Sequence, residues 1–181
     1  MQPLVVSLVL DPVSQERFDA LRRAHFPRDR LQVGAHVSLF HALPGEDEPQ
    51  VDAALRAAAR RQPFDVAVTA VRSLGRGVAF ALHADELSAL HCGLQQAFQD
   101  RLTPQDRQRL SAHVTVQNKV TPDAARRLLA QLAASFTPYV VRAEGLALWR
   151  YAGGPWEPRA TYPFTGADGA AGAAGAAGSA S

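Results

Sequence analysis

The chain has little cysteine, little methionine and almost no lysine, and it has no long apolar run. One cysteine in 181 residues excludes an internal disulfide framework. That residue, Cys92, falls among Leu90, Leu94 and Phe98 in a helical pattern and reads as a packed thiol, since nothing nearby in sequence would lower its pKa. No stretch approaches the roughly 18 consecutive apolar residues that a membrane span needs. The opening MQPLVVSLVLDP lacks a basic start and a small-residue cleavage site, so it reads as a first strand and not as a signal peptide. A cytoplasmic location is the expectation. Charge is also scarce: the formal net value is +2, with a pI near 9.1. That balance is too mild to imply nucleic-acid binding, yet it does not oppose an anionic substrate. The basic residues are arginines apart from one lysine, Lys119.

What is present fits a folded α+β chain. Hydrophobic residues make up 47% and charged residues 20%, and the length suits one domain with a real core. From Gly166 the sequence becomes GADGAAGAAGAAGSAS, which lacks the bulk to offset ordering entropy. The expected division is a single bilobal domain over residues 1–165 and a flexible tail over 166–181. Apolar periodicity predicts strands at 4–10, 36–43, 64–74, 78–83, 112–120, 139–151 and 160–164. Helices are predicted from Ser14 to about His25, over 49–61 and 85–101, and from a Thr121 cap with Pro122 first in the helix to about Ser135. Gly75-Arg76-Gly77 makes a hairpin turn. Alternating strands and helices with hairpins predict a mixed or antiparallel sheet, with helices flanking it, in two lobes related by a rough two-fold.

The strongest motif is a doubled one. Ala-His-Val followed by a hydroxyl residue occurs at Ala35-His36-Val37-Ser38 and again at Ala112-His113-Val114-Thr115, the histidines 77 positions apart. On a strand, residues alternate faces. His36, Ser38 and Phe40 therefore share one face, as do His113, Thr115, Gln117 and Lys119. His41 falls on the opposite face and reads as structural. One such pattern occurs by accident; two matched copies opening predicted strands need a reason.

Two imidazoles facing each other suit phosphodiester chemistry. A neutral histidine takes a proton from the attacking oxygen and a charged one returns a proton to the departing oxygen. Hydroxyls of Ser38 and Thr115 could hold the non-bridging oxygens. Lys119 could add charge, Gln117 a polar contact, and Phe40 a stacking surface for a base. Trp149, Tyr151 and Trp156, near a Gly-Gly-Pro loop, read first as an apolar plug closing the second lobe and second as a nucleobase pocket. Rival chemistries lack their parts. There is no His-Glu-x-x-His or Cys-x-x-Cys, no Gly-x-Ser-x-Gly elbow and no Walker glycine loop. His83 and His91 receive no role, and His25 is placed at the end of the first helix.

The paired His-Val-Ser and His-Val-Thr strands, with a hairpin and a Leu-rich helix between them, resemble the two-histidine (2H) phosphoesterase superfamily, in its bacterial 2′-5′ RNA ligase-like and cyclic-phosphodiesterase branch. The resemblance spans about residues 3–165. It implies a bilobal α+β fold with a central groove and metal-independent action on 2′,3′-cyclic phosphates or 2′-5′ linkages. It also implies catalytic roles for His36, Ser38, His113 and Thr115. No cofactor is expected; the expected partners are RNA ends or small nucleotides, with no membrane and no obligate protein partner, and the chain as a monomer. Many members carry an arginine soon after the second motif, where this chain has Gln117-Asn118-Lys119. Run backwards, such a site would join ends. The other class of reading is a non-catalytic RNA- or nucleotide-binding module on the same fold.

Overall fold

A computed structural model describes residues 2–166; the predicted tail lies outside this range apart from Gly166. Within the described residues the chain runs β1 (Leu4–Leu10), α1 (Pro12–His25), β2 (Val37–Leu43), α2 (Glu48–Ala58), β3 (Phe64–Ser73), β4 (Val78–His83), α3 (Asp85–Ala97), β5 (His113–Gln117), α4 (Pro122–Ala134), β6 (Tyr139–Tyr151) and β7 (Trp156–Pro163). Every strand pairing is antiparallel. The sheet order is β2-β1-β6-β3-β4-β5, with β7 added beside β6. That order is its own mirror under the exchange of β1α1β2α2β3 with β4α3β5α4β6. The doubled motif is thus the visible trace of a doubled β-α-β-α-β unit, and the two motif strands lie at the two ends of the order. No helix among the described residues is long and apolar enough to cross a membrane.

Local chemistry explains the element boundaries. Asp11, not Ser14, caps α1: its carboxylate accepts from the Ser14 N–H at 2.9 Å, and Pro12 follows at the first helical position. Thr121 caps α4 in the same way, at 3.3 Å from the Ala124 N–H. Gly75 has φ 75°, which the β3–β4 turn requires. At Gly77 a Cβ would lie 2.1 Å from the Gln117 carbonyl oxygen, so only glycine lets β4 and β5 close. The second motif strand stops at Gln117, short of the predicted Val120, because the chain turns at Lys119 with φ 60°.

Each unit lends its first helix to the other unit's motif strand. On α1, Phe18 is buried against Phe80 of β4, with ring centroids 5.7 Å apart. The buried Arg22, one turn further, donates to the Thr115 carbonyl of β5 at 2.7 Å. On α3, His91 is buried, stacks on Phe40 of β2 at 4.9 Å and donates through Nε2 to the Leu39 carbonyl at 3.2 Å. Burying the Phe18 ring stabilises by about 1.5–3 kcal/mol, and the Arg22 and His91 hydrogen bonds add to it, so the exchange holds the two units together. Cys92 is exposed on α3, contrary to the packed thiol expected, because it falls between the Leu87-Leu90-Leu94 stripe and the next turn.

Candidate active site

Both motif strands carry a bulge at the same place, and it decides which side chains reach the site. Ser7 pairs with Ser38 and Val6 with Phe40, so Leu39 is an extra residue on β2. Ala79 pairs with Thr115 and Val78 with Gln117, so Val116 is the extra residue on β5. A bulge shifts the alternation by one. His36 and Ser38, like His113 and Thr115, keep the shared face expected of them and are all partly accessible. Beyond the bulge the period-two reading fails. Phe40 is fully buried, edge-on to Phe98 at 5.4 Å, and is a core residue with no free face for a base. Gln117 is also buried, its Oε1 without a hydrogen-bond partner. Lys119 is exposed on the turn past the strand, away from the Thr115 end. His41 moves the other way: the shift returns it to the Ser38 side, against its expected placement on the opposite face.

The two motif histidines are set identically. His36 donates from Nδ1 to the Gly34 carbonyl at 2.8 Å, and His113 donates from Nδ1 to the Ser111 carbonyl at 2.7 Å. A carbonyl only accepts, so the proton sits on Nδ1 and Nε2 is left free in both rings. Helix α1 grips the residue before His36 on both sides. Asp19 accepts from the Ala35 N–H at 2.6 Å, and the Gln15 amide donates to the Ala35 carbonyl at 2.8 Å. Arg22 holds the preceding loop through the Val33 carbonyl at 3.0 Å. Beside His113, Arg72 donates to the Ser111 hydroxyl at 2.8 Å.

The His36 ring also senses His113. Burial pushes His36 down from 6.5 to about 4; its bond to Gly34 opposes this, while the charges of Arg22, His113 and His41 add to it. His113 is lowered as well, first by burial and then by Arg72 and His41. Much of the cover on His36 is Trp156, whose ring lies 4.4 Å away. Trp149 stands behind it at 6.1 Å, its indole N–H donating to the Ser7 hydroxyl at 2.8 Å. The two tryptophans and His36 line a largely apolar cavity of about 280 Å³. They wall a cavity instead of plugging the second lobe, and Tyr151 stays outside it, exposed. On the other side, Ser38 and His113 line a cavity of about 160 Å³ with His41, Asp106 and Arg109. Among the described residues no group of three or more His, Cys, Asp or Glu could hold a metal ion.

Sequence reading missed Asp106, Arg109, Arg72 and Arg22. None belongs to a motif, and each reaches the site from a different segment. Only the doubled spacing offered a signal for Arg22, which sits on the helix that the repeat places before the first motif.

Two mirrored units, each carrying a His-x-hydroxyl strand whose histidine ties its Nδ1 to the carbonyl two residues back, define a two-histidine phosphoesterase fold. The chain belongs to the 2′-5′ RNA ligase superfamily, whose family model matches residues 10–155. Solved structures share the architecture at low identity. TT0787 of Thermus thermophilus superposes with a TM-score of 0.64 at 17% identity, over 91% of this chain and 99% of that one. LigT of E. coli, solved with 3′-AMP, gives 0.59 at 19% over 91% and 98%. A protein described as a phosphoesterase gives 0.61 at 19% over 91% and 99%. No curated protein matches the chain.

Proposed function

We propose that the protein is a metal-independent phosphoesterase for 2′,3′-cyclic phosphates or 2′-5′ diesters of RNA ends or small nucleotides. The carrying observation is the matched pair of imidazoles with Nδ1 committed and Nε2 free, close enough that the charge of His113 bears on His36. His36, held neutral by its burial, takes the proton of the attacking water as the oxygen bonds to phosphorus. His113, charged by the phosphate it meets, gives its proton to the 2′ or 3′ oxygen as that bond breaks. Ser38 and Thr115 donate hydroxyl hydrogens to the non-bridging oxygens, where charge builds. The Trp149–Trp156 cavity beside His36 takes the base by stacking, and its volume of about 280 Å³ suits one nucleobase with part of its ribose. A relative of this fold, LigT, was solved with 3′-AMP.

The test is turnover in EDTA on a panel of 2′,3′-cyclic nucleotides, 2′-5′ dinucleotides and short cyclic-phosphate RNAs, with products identified by mass and NMR. His36→Ala and His113→Ala should each lower kcat by about 10²–10⁴ while nucleotide affinity stays near wild type. RNA binding without turnover on any substrate would make the protein a binding module. Activity lost in EDTA and restored by zinc would refute the metal-free scheme.

A further inference from the structure

The pseudo-two-fold breaks at one point beside the site. In the first unit the second residue past the bulged Leu39 is His41; in the second, two past Val116, it is Asn118. Among the described residues, His41 is the only histidine whose ring bonds a buried carboxylate. Its Nδ1 donates to Asp106 Oδ1 at 3.1 Å, and the same carboxylate accepts the backbone N–H of His41 at 2.8 Å and of Ala42 at 3.0 Å. The Asp106 side chain is fully covered, whereas that of His41 is 45% exposed. Nδ1 is therefore spoken for, and the accessible part of the ring carries Nε2. Close by, Arg109 is exposed and makes no ion pair or hydrogen bond among the described residues, although it lines the same cavity as Ser38, His41 and His113. Most other arginines near the groove are engaged: Arg22 with two carbonyls, Arg72 with Ser111.

We infer that His41 and Arg109 form a second anion seat, adjoining the one between His36 and His113, that holds a further phosphoryl group of the substrate. The inference rests on the phosphoesterase reading for the position of the first phosphate. Three features point this way. Ser38 and His113, which the phosphoesterase reading sets against the first phosphate, also line this cavity, so the two phosphoryl groups would be neighbours. The cavity, at about 160 Å³, is too small for a second nucleoside and ample for a phosphoryl group. Its free donors are a guanidinium and an imidazole whose other nitrogen is backed by a carboxylate, the pairing that holds a ring in place to donate when charged. The base cavity on the His36 side and the anion seat on the His113 side then give the substrate one direction across the groove.

Inorganic phosphate and pyrophosphate, titrated calorimetrically into the whole protein, supply the test. Pyrophosphate should bind about tenfold or more tightly than phosphate. Arg109→Gln and His41→Asn should each reduce that ratio by about threefold or more. Asparagine keeps an N–H where Nδ1 stood, so the Asp106 contact survives and only Nε2 is lost. Arg126→Gln, on the exposed face of α4, controls for net charge and should leave the ratio unchanged. Equal affinities in the wild type, or a ratio that neither variant moves, overturns the inference, as does an Arg126→Gln effect as large as that of Arg109→Gln. The phosphoesterase reading fails separately, through absent turnover of cyclic phosphates.

Discussion

Replacing His36 with glutamine should make the protein more tolerant of acid, and the size of the effect follows from the site. In the folded chain the ring sits under Trp156 and near Arg22 and His113, and its pKa falls from 6.5 to about 4. In the unfolded chain it returns to the ordinary value. Below pH 6.5 the unfolded state therefore binds a proton at residue 36 that the folded state refuses. Stability drains away as pH falls from 6.5 toward 4, and the loss is complete below 4. At about 1.4 kcal/mol per pH unit, the shift is worth about 2–3 kcal/mol once residual exposure of the ring is allowed for. His36→Gln removes this penalty and leaves every other titrating group in place. Urea unfolding of both proteins at about pH 7 and about pH 4 gives the double difference, which should favour the variant by about 2–3 kcal/mol at the lower pH. Trp156→Ala provides the partner measurement: with the indole gone, water reaches the ring, and the His36 titration followed by NMR should move back toward 6.5. Parallel stability curves, or a wild-type ring that titrates at 6.5, would refute the reasoning that burial keeps His36 neutral.

Two structural perturbations should separate scaffold from chemistry. Asp106→Ala strands the His41 and Ala42 N–H groups that the buried carboxylate now satisfies, at a cost of about 2–4 kcal/mol in thermal or urea unfolding; a loss well below 1 kcal/mol would mean that water replaces the carboxylate. Because the Asp106 carboxyl is held below its usual range by the His41 contacts despite its burial, its contribution is present above pH 4 and fades as pH drops through the folded value. Gly77→Ala sets a methyl group against the Gln117 carbonyl and should force β4 and β5 apart, lowering stability by about 2 kcal/mol or more and exposing the β5 amides to hydrogen exchange; unchanged protection there would show that the strands had room to give.

Much of the fold was legible because its signals are local. β1, β4 and β6 run as the apolar patterns predict, and Thr121-Pro122 begins α4 through contacts within one turn. The repeat announced two similar units, since Ala-His-Val-hydroxyl needs no partner strand to be recognised. The expected α1 cap missed by three residues because Asp11 and Ser14 both satisfy the capping rule, and only backbone geometry chooses between them.

The four side chains of the doubled motif follow from sequence alone, because His36 to Ser38 and His113 to Thr115 lie before the bulges, where alternation still holds. Everything past that point belonged to the tertiary structure. Whether a strand gains an extra residue depends on its neighbour's register, so pairing with β1 and β4 sent Phe40 and Gln117 inward and brought His41 out. Likewise Trp156 meets His36, and Asp106 meets His41, across segments that share no pattern in the chain. Proximity of residues so far apart is a property of packing, and packing carries the environment that tunes an imidazole; the order of residues supplies only the imidazole itself.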